Sequence, residues 1–214
     1  MRNIGITQRI HFIKEYNEYR DELDQRWSSL FANIGILQII LPNNSELFKS
    51  KAIDSLNLNG VILSGGEFQE NNDNNIGLKN RNEFENNLIN HCIDNKIPII
   101  GVCRGMQILN NFFGDKLEKI DNHVGKYHEI KNLSNFPISK KVNSYHEFKL
   151  SRDELPENFK IIATDLDGEI ESILDKKNNL LGIMWHPERE ESPQEHDLLL
   201  IRWLFGYEGV TWKE

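Results

Sequence analysis

The 214-residue chain has only two cysteines, Cys92 and Cys103, too few for a disulfide framework and without the spacing of a zinc-binding set. Long hydrophobic runs are also missing. The longest apolar stretches, Ile34–Leu41 and Ile97–Cys103, fall far below the roughly 18 residues a bilayer-spanning segment needs. Met1–Phe12 lacks the apolar middle region of a secretory signal. Positive charge is scarce: 25 basic residues against 33 acidic ones give a formal net charge of −8, with no Lys/Arg cluster. Phosphate neutralisation needs concentrated positive charge, so nucleic acid is not an expected partner, and neither is a membrane. No internal repeat and no long linker interrupts the chain. These absences leave a cytoplasmic protein folded as one domain over residues 1–214 as the expectation.

What is present alternates. Ile4–Thr7 is a short strand candidate, and Leu23, Trp27, Leu30 and Phe31 form one stripe of a helix that Gly35 is placed to end. Ile36–Leu41 reads as a buried strand closed by Pro42, and Ser45 as the N-cap of a helix running through Leu56. Gly60–Leu63 predicts a third strand, ending in Ser64-Gly65-Gly66, and Phe84, Leu88 and Cys92 mark the next helix. Ile97–Val102 is apolar without alternation, as a strand covered on both faces requires. Met106–Phe113 returns to helix, stopped by Gly114. This order predicts a doubly wound α/β sheet. The second half differs: Lys116–Lys131, Asn158–Thr164, Glu169–Leu174 and Leu180–Trp185 read as short strands in hairpins, before a closing helix over Asp197–Phe205. The Asn-rich stretch Asn71–Asn90 reads as loop and helix surface, with Glu67–Asn80 long enough to serve as a lid.

Three short segments carry chemistry. In Gly101-Val102-Cys103-Arg104-Gly105, a thiol sits between a buried strand and a helix, with glycine two places to either side. That is the spacing of a nucleophile elbow, and a helix N-terminus favours the attacking thiolate. Trp185-His186-Pro187-Glu188 places a histidine at a strand end with a carboxylate close enough to fix its tautomer. Ser64-Gly65-Gly66-Glu67 offers side-chain-free N–H groups for an oxyanion, with the backbone N–H of Arg104 as a second donor. Cys92 has no such context and reads as core.

In this order the three segments resemble the class I glutamine amidotransferase-like family. The resemblance implies a flavodoxin-like α/β fold: a mostly parallel central sheet, helices on both faces and extra antiparallel strands in the second half. It implies Cys103 as nucleophile, His186 as base, Glu188 as its orienter, and Gly65, Gly66 and the Arg104 N–H as oxyanion hole. It further assigns Gln107 and the segment Asn143-Ser144-Tyr145-His146 to the glutamyl moiety. The runs C-R-G-M-Q, V-N-S-Y-H and W-H-P-E look like the γ-glutamyl hydrolase branch, whereas ammonia-supplying subunits of synthases usually differ after the cysteine. The branch implies a small-molecule γ-glutamyl substrate, no cofactor, no metal and no obligate synthase partner, with a homodimer permitted. The compact length and the segment Arg20–Trp27 narrow the resemblance to hydrolysis of a cytidine-diphosphate-linked amide. For that leaving group Arg9, the Arg104 side chain, His123, Lys126 and His128 are candidate cations, and Asp24, Arg26 and Trp27 candidate lining residues. Glu147 and Phe148 depart from the branch's usual His or Gln.

Overall fold

A computed structural model describes residues 1–66, 75–114, 116–136 and 138–209. The chain enters through β1 (Arg2–Ile6) and an antiparallel hairpin of β2 (Arg9–Ile13) and β3 (Glu18–Glu22). It continues through α1 (Arg26–Ile34), β4 (Ile36–Ile40), two one-turn helices α2 (Glu46–Lys49) and α3 (Ala52–Ser55), and β5 (Gly60–Leu63). Then come α4 (Ile76–Asp94), β6 (Ile99–Val102) and α5 (Arg104–Phe112). The second half comprises β7 (Leu117–Lys119), β8 (Val124–Asn132), β9 (Lys141–Tyr145), β10 (Phe148–Leu150), β11 (Lys160–Asp165), β12 (Ile170–Asp175) and β13 (Leu180–Ile183). A 3-10 turn over Pro187–Arg189 and α6 (Glu195–Leu204) follow.

Nine strands form one sheet in the order β4-β1-β5-β6-β13-β12-β11-β8-β9. From β4 to β13 every pairing is parallel, and from β13 outward every pairing is antiparallel. The first four strands follow the flavodoxin-like order, whose ligand crevice lies at the C-terminal ends of the parallel strands. β5, β6 and β13 are buried along their whole length because helices cover both faces. Successive side chains of a strand point to opposite faces. Thus Ile62, Ile100 and Val102 pack with Trp27, Leu30 and Phe31 of α1 and Leu200 and Ile201 of α6. Val61, Leu63 and Ile99 pack instead with Phe84, Leu88 and Cys92 of α4 and Met106 of α5. Burial pushes the Cys92 thiol up to about 12, as suits a core cysteine.

Four local expectations are corrected. The β2–β3 hairpin was not foreseen, because its faces are too exposed to show alternation. β4 is an edge strand with Leu37 and Ile40 exposed, rather than a buried one. The helix expected from Ser45 to Leu56 breaks in two at Lys51, which takes a φ of 55°. Its first turn is capped by Asn44, whose Oδ1 accepts from Glu46 N at 2.9 Å, not by Ser45. The expected loop ends early: Asn75 Oδ1 accepts from Leu78 N at 3.1 Å and starts α4, so Ile76–Asn80 are helical. Glu67 and the rest of residues 67–74, the part of the loop whose length would permit a lid, lie outside the described residues.

Candidate active site

Cys103 stands at the junction of β6 and α5 with φ 52° and ψ −108°, a conformation that L-residues rarely adopt. Such strain costs about 1–3 kcal/mol and persists only where the surroundings enforce it. Here the Cys103 N–H donates to Ile183 O of β13 at 2.8 Å, and the flanking glycines permit contacts no side chain would. A Cβ on Gly105 would lie 2.1 Å from the Leu63 carbonyl oxygen, and one on Gly101 would lie 2.5 Å from the Gly105 carbonyl group. The G-x-C-x-G spacing therefore lets α5 start directly against the ends of β5 and β6.

β13 is the parallel neighbour of β6, so its C-terminal extension carries His186 to the same sheet edge. His186 Nδ1 lies 2.7 Å from Glu188 Oε1, with both side chains buried. A carboxylate only accepts, so Nδ1 carries the proton and Nε2 is left free of it, on a ring close enough to Cys103 to feel its charge. Burial pulls the imidazole pKa down, but the Glu188 carboxylate and the Cys103 sulfur outweigh it and hold it up at about 9. Asn143 of β9 fixes the His186 main chain from both sides, accepting from its N–H at 2.9 Å and donating to its carbonyl at 2.8 Å.

The turn after β5 closes the site. Gly65 sits against the His186 ring: a Cβ there would meet Cε1 at 2.6 Å. Arg81 of α4, fully buried, donates from Nη2 to the carbonyls of Ser64 at 2.8 Å and Gly65 at 3.2 Å. Because the peptide unit is planar and trans, holding the Gly65 carbonyl also aims the Gly66 N–H the opposite way. Arg81 in turn bonds Glu85 Oε1 at 3.0 Å, which also accepts from Thr7 Oγ1 at 2.9 Å. Glu85 Oε2 accepts from Arg104 Nη1 at 2.6 Å. Burial alone would raise the Glu85 pKa, but Arg104 and Arg81 reverse that and hold it below the usual carboxylate range. This Arg81–Glu85–Arg104 group was missed by sequence reasoning. The one trace of it in the sequence is that Arg81 and Glu85 share the stripe of Leu78, Leu88 and Cys92, a spacing that a solvated i,i+4 pair also produces.

Other expected site residues are placed as follows. The Arg104 side chain is a correction: it serves Glu85 and Asn82 and is buried, so it is no free cation for a leaving group. Asn143 and His146 have side-chain partners within the protein. Asn143 is used by the His186 main chain and Glu190, and His146 is turned inward, its Nδ1 donating to Phe148 O at 3.0 Å. Ser144 Oγ donates to His123 O at 2.6 Å, and Gln107 Nε2 to Phe148 O at 3.0 Å. Tyr145 is partly exposed beside His186, ring centroids 5.7 Å apart, with the Arg189 guanidinium over its ring at 4.3 Å from the centroid. The stem of Arg9 lies by Gly66. Trp27 is core rather than pocket lining, and Asp24 holds Arg26 in an ion pair at 2.6 Å. Lys126 is exposed on β8, whereas His123 and His128 face the carboxylates of Asp165 and Glu171 at 3.3 and 3.5 Å.

A profile described as glutamine amidotransferase class-I matches residues 18–203 of the chain. The chain belongs to the class-I glutamine amidotransferase family. As a member it is similar to the gamma-glutamyl-CDP-amidate hydrolase of Campylobacter jejuni, at 33% identity over 198 residues, 87% of this chain and 90% of that one. It is also similar to one of the subunits of the glutamine-hydrolyzing GMP synthase of Pyrococcus abyssi, at 30% identity over 78% of this chain and 84% of that one. Among solved structures, a protein from Thermoplasma acidophilum described as a GMP synthase subunit superposes with a TM-score of 0.70 at 20% identity, covering 96% and 92% of the two chains. That likeness speaks for the amidotransferase fold, and the sequence relatives make this chain a glutamine amidotransferase-like hydrolase. No helix among the described residues is long and apolar enough to cross a membrane.

Proposed function

We propose that the protein hydrolyses a γ-glutamyl amide, with Cys103 as nucleophile, His186 as general acid and base, and Glu188 as its positioning partner. The observation that carries this reading is the strained Cys103 held beside the buried His186–Glu188 pair. The Cys103 sulfur attacks the γ-carbonyl carbon, and the carbonyl oxygen takes the negative charge. The N–H groups of the Gly65-Gly66 turn and of Arg104 are the donors nearest to hand for it. His186 passes its proton to the leaving nitrogen as the C–N bond breaks, leaving a thioester. Water then gives its proton to His186 Nε2 and attacks the thioester, releasing glutamate and the free thiolate. None of these steps draws on a cofactor.

For the leaving group, the name of the C. jejuni relative supports γ-glutamyl-CDP-amidate, whose hydrolysis would give cytidine diphosphoramidate, on this proposal for capsular polysaccharide modification. Arg9, whose stem lies by Gly66, and Arg189, over the Tyr145 ring, suit a diphosphate. A second reading, glutaminase activity serving a separate synthase, is favoured by the similarity to GMP synthase subunits. Purified protein offered γ-glutamyl-CDP-amidate, γ-glutamyl-γ-aminobutyrate and glutamine separates these cases. Preferred glutamate release from the first is expected, and Cys103→Ala should lower it by at least about 10³-fold. Full activity in Cys103→Ala would end the proposal, and preference for glutamine would move it to the second reading.

A further inference from the structure

Behind the strand that carries Asn143 and Tyr145, three histidines and two carboxylates converge. His128 Nε2 lies 3.5 Å from Glu171 Oε2, His146 Nε2 3.6 Å from Glu171 Oε1, and His123 Nε2 3.3 Å from Asp165 Oδ2. These separations exceed a normal N–H···O hydrogen bond, whose mode is about 2.9–3.0 Å. They match the spacing of about 3.4 Å between neighbouring ligand atoms that tetrahedral bonds of 2.0–2.2 Å to a shared ion produce. Ligand atoms of His123, His128 and Glu171 all lie within 4.8 Å of one another.

The protonation pattern points the same way. His146 Nδ1 faces the Phe148 carbonyl at 3.0 Å and His123 Nδ1 faces the Asp121 carbonyl at 2.9 Å. A carbonyl only accepts, so each Nδ1 carries its proton, and in the neutral ring Nε2 presents a lone pair to a carboxylate oxygen. Lone pairs facing lone pairs require a proton or a metal cation between them, and an ion can serve several such pairs at once. A backbone-tethered Nδ1–H with a bare Nε2 is also the usual arrangement around a metal-ligating histidine. Glu171 is fully buried, and both its oxygens, together with His128 Nε2 and His146 Nε2, lack any hydrogen-bond partner. Four orphaned polar atoms in one place are costly unless something joins them.

We propose that this cluster is a binding site for a divalent transition-metal ion such as Zn²⁺, held by His123, His128 and Glu171 with His146 and Asp165 alongside. Imidazole and carboxylate donors suit such an ion. The same two carboxylates repel a phosphate. The ion has an entry path, because His123, His128 and Asp165 line a cavity of about 380 Å³ that also includes Lys126 and Ser144. Its role is positional. The His123 carbonyl accepts from Ser144 Oγ and from His146 N at 3.1 Å, so an ion on His123 clamps the Asp121–His123 turn to β9, whose Asn143 fixes His186. No sequence motif marks the set, since its members come from the turn before β8, from β8, from the residue after β9, and from β11 and β12. The inference is independent of the identity of the substrate.

The test is metal binding by the full chain after dialysis against chelator. Titration with Co²⁺ should give one equivalent with the intense visible bands of a low-coordinate site, and Zn²⁺ should displace it and raise the Tm. His123→Ala and His128→Ala, which remove rings that are not deep in the core, should each weaken Co²⁺ binding by more than about 100-fold. His11→Ala, on the exposed β2–β3 hairpin, should leave it unchanged. Failure of the folded wild-type protein to take up stoichiometric Co²⁺ or Zn²⁺ would overturn the proposal, because shared protons alone would then satisfy the cluster. Binding undiminished in both cluster variants would overturn it equally.

Discussion

The single residue on which the site's proton balance turns is His186. Its imidazole is held near 9 by Glu188 and the Cys103 sulfur against the opposing effect of burial. On the proposed mechanism the ring must be protonated to release the leaving nitrogen, so kcat/KM should fall as pH rises through about 9. Glu188→Gln removes the main favourable charge, and the basic limb should move to lower pH together with a loss of rate. A limb that stays in place would show that the carboxylate does not set this pKa. The neighbouring glycine makes a separate prediction. Gly105→Ala drives a Cβ onto the Leu63 carbonyl, a backbone atom that cannot rotate away. It should cost about 1–3 kcal/mol in denaturant-derived stability, and a neutral result would mean that α5 is free to shift.

Among the elements, α4 does the most to shape the Ser64–Gly66 turn, and it does so with charged residues inside the core. Arg81 holds the Ser64 and Gly65 carbonyls, and burial together with Arg104 and Arg9 lowers its own pKa to about 10 against the pull of Glu85. Glu85→Gln leaves two buried guanidinium groups without a counter-charge. Breaking a buried pair this way costs about 3–5 kcal/mol, which urea denaturation would register. Loss below about 1 kcal/mol would show that water reaches the group. The same helix marks where sequence reading ends. β5, β6, β13 and the G-x-C-x-G elbow were readable because continuous apolar runs and paired glycines each have few physical explanations. The buried charges of α4 were not, because Arg81 and Glu85 resemble a solvated i,i+4 pair until the far ends of β5 and α5 are seen to meet them. The β2–β3 hairpin escaped because exposed strands leave no periodic signature, and β9 because two of its three buried residues, Asn143 and Ser144, are polar. The motif around His146 gave its neighbourhood but not the direction of its ring, which turns inward toward Glu171.

For the molecule as a whole, the join between α6 and the sheet makes folding stability depend on pH. Asp197, on the first turn of α6, accepts from Trp185 Nε1 at 2.9 Å and is almost fully buried. Burial raises its pKa to about 7; the Trp185 bond opposes this, and the carboxylates of Glu190 and Glu188 add to it. His196 Nε2 stands 3.5 Å away, but burial lowers its own pKa, so it carries no counter-charge at neutral pH. The unfolded carboxyl titrates near 3.8, so between that value and about 7 the fold keeps a proton that the unfolded chain has released. Stability contributed by this group is therefore present at acid pH and lost as pH rises through that window, at about 1.4 kcal/mol per unit. Asp197→Asn keeps an acceptor for Trp185 Nε1–H and cannot ionise. Its advantage over the wild type, measured by urea denaturation, should be small at about pH 4.5 and largest at about pH 8. An advantage that does not change between those two conditions would mean that Asp197 ionises as readily in the fold as out of it.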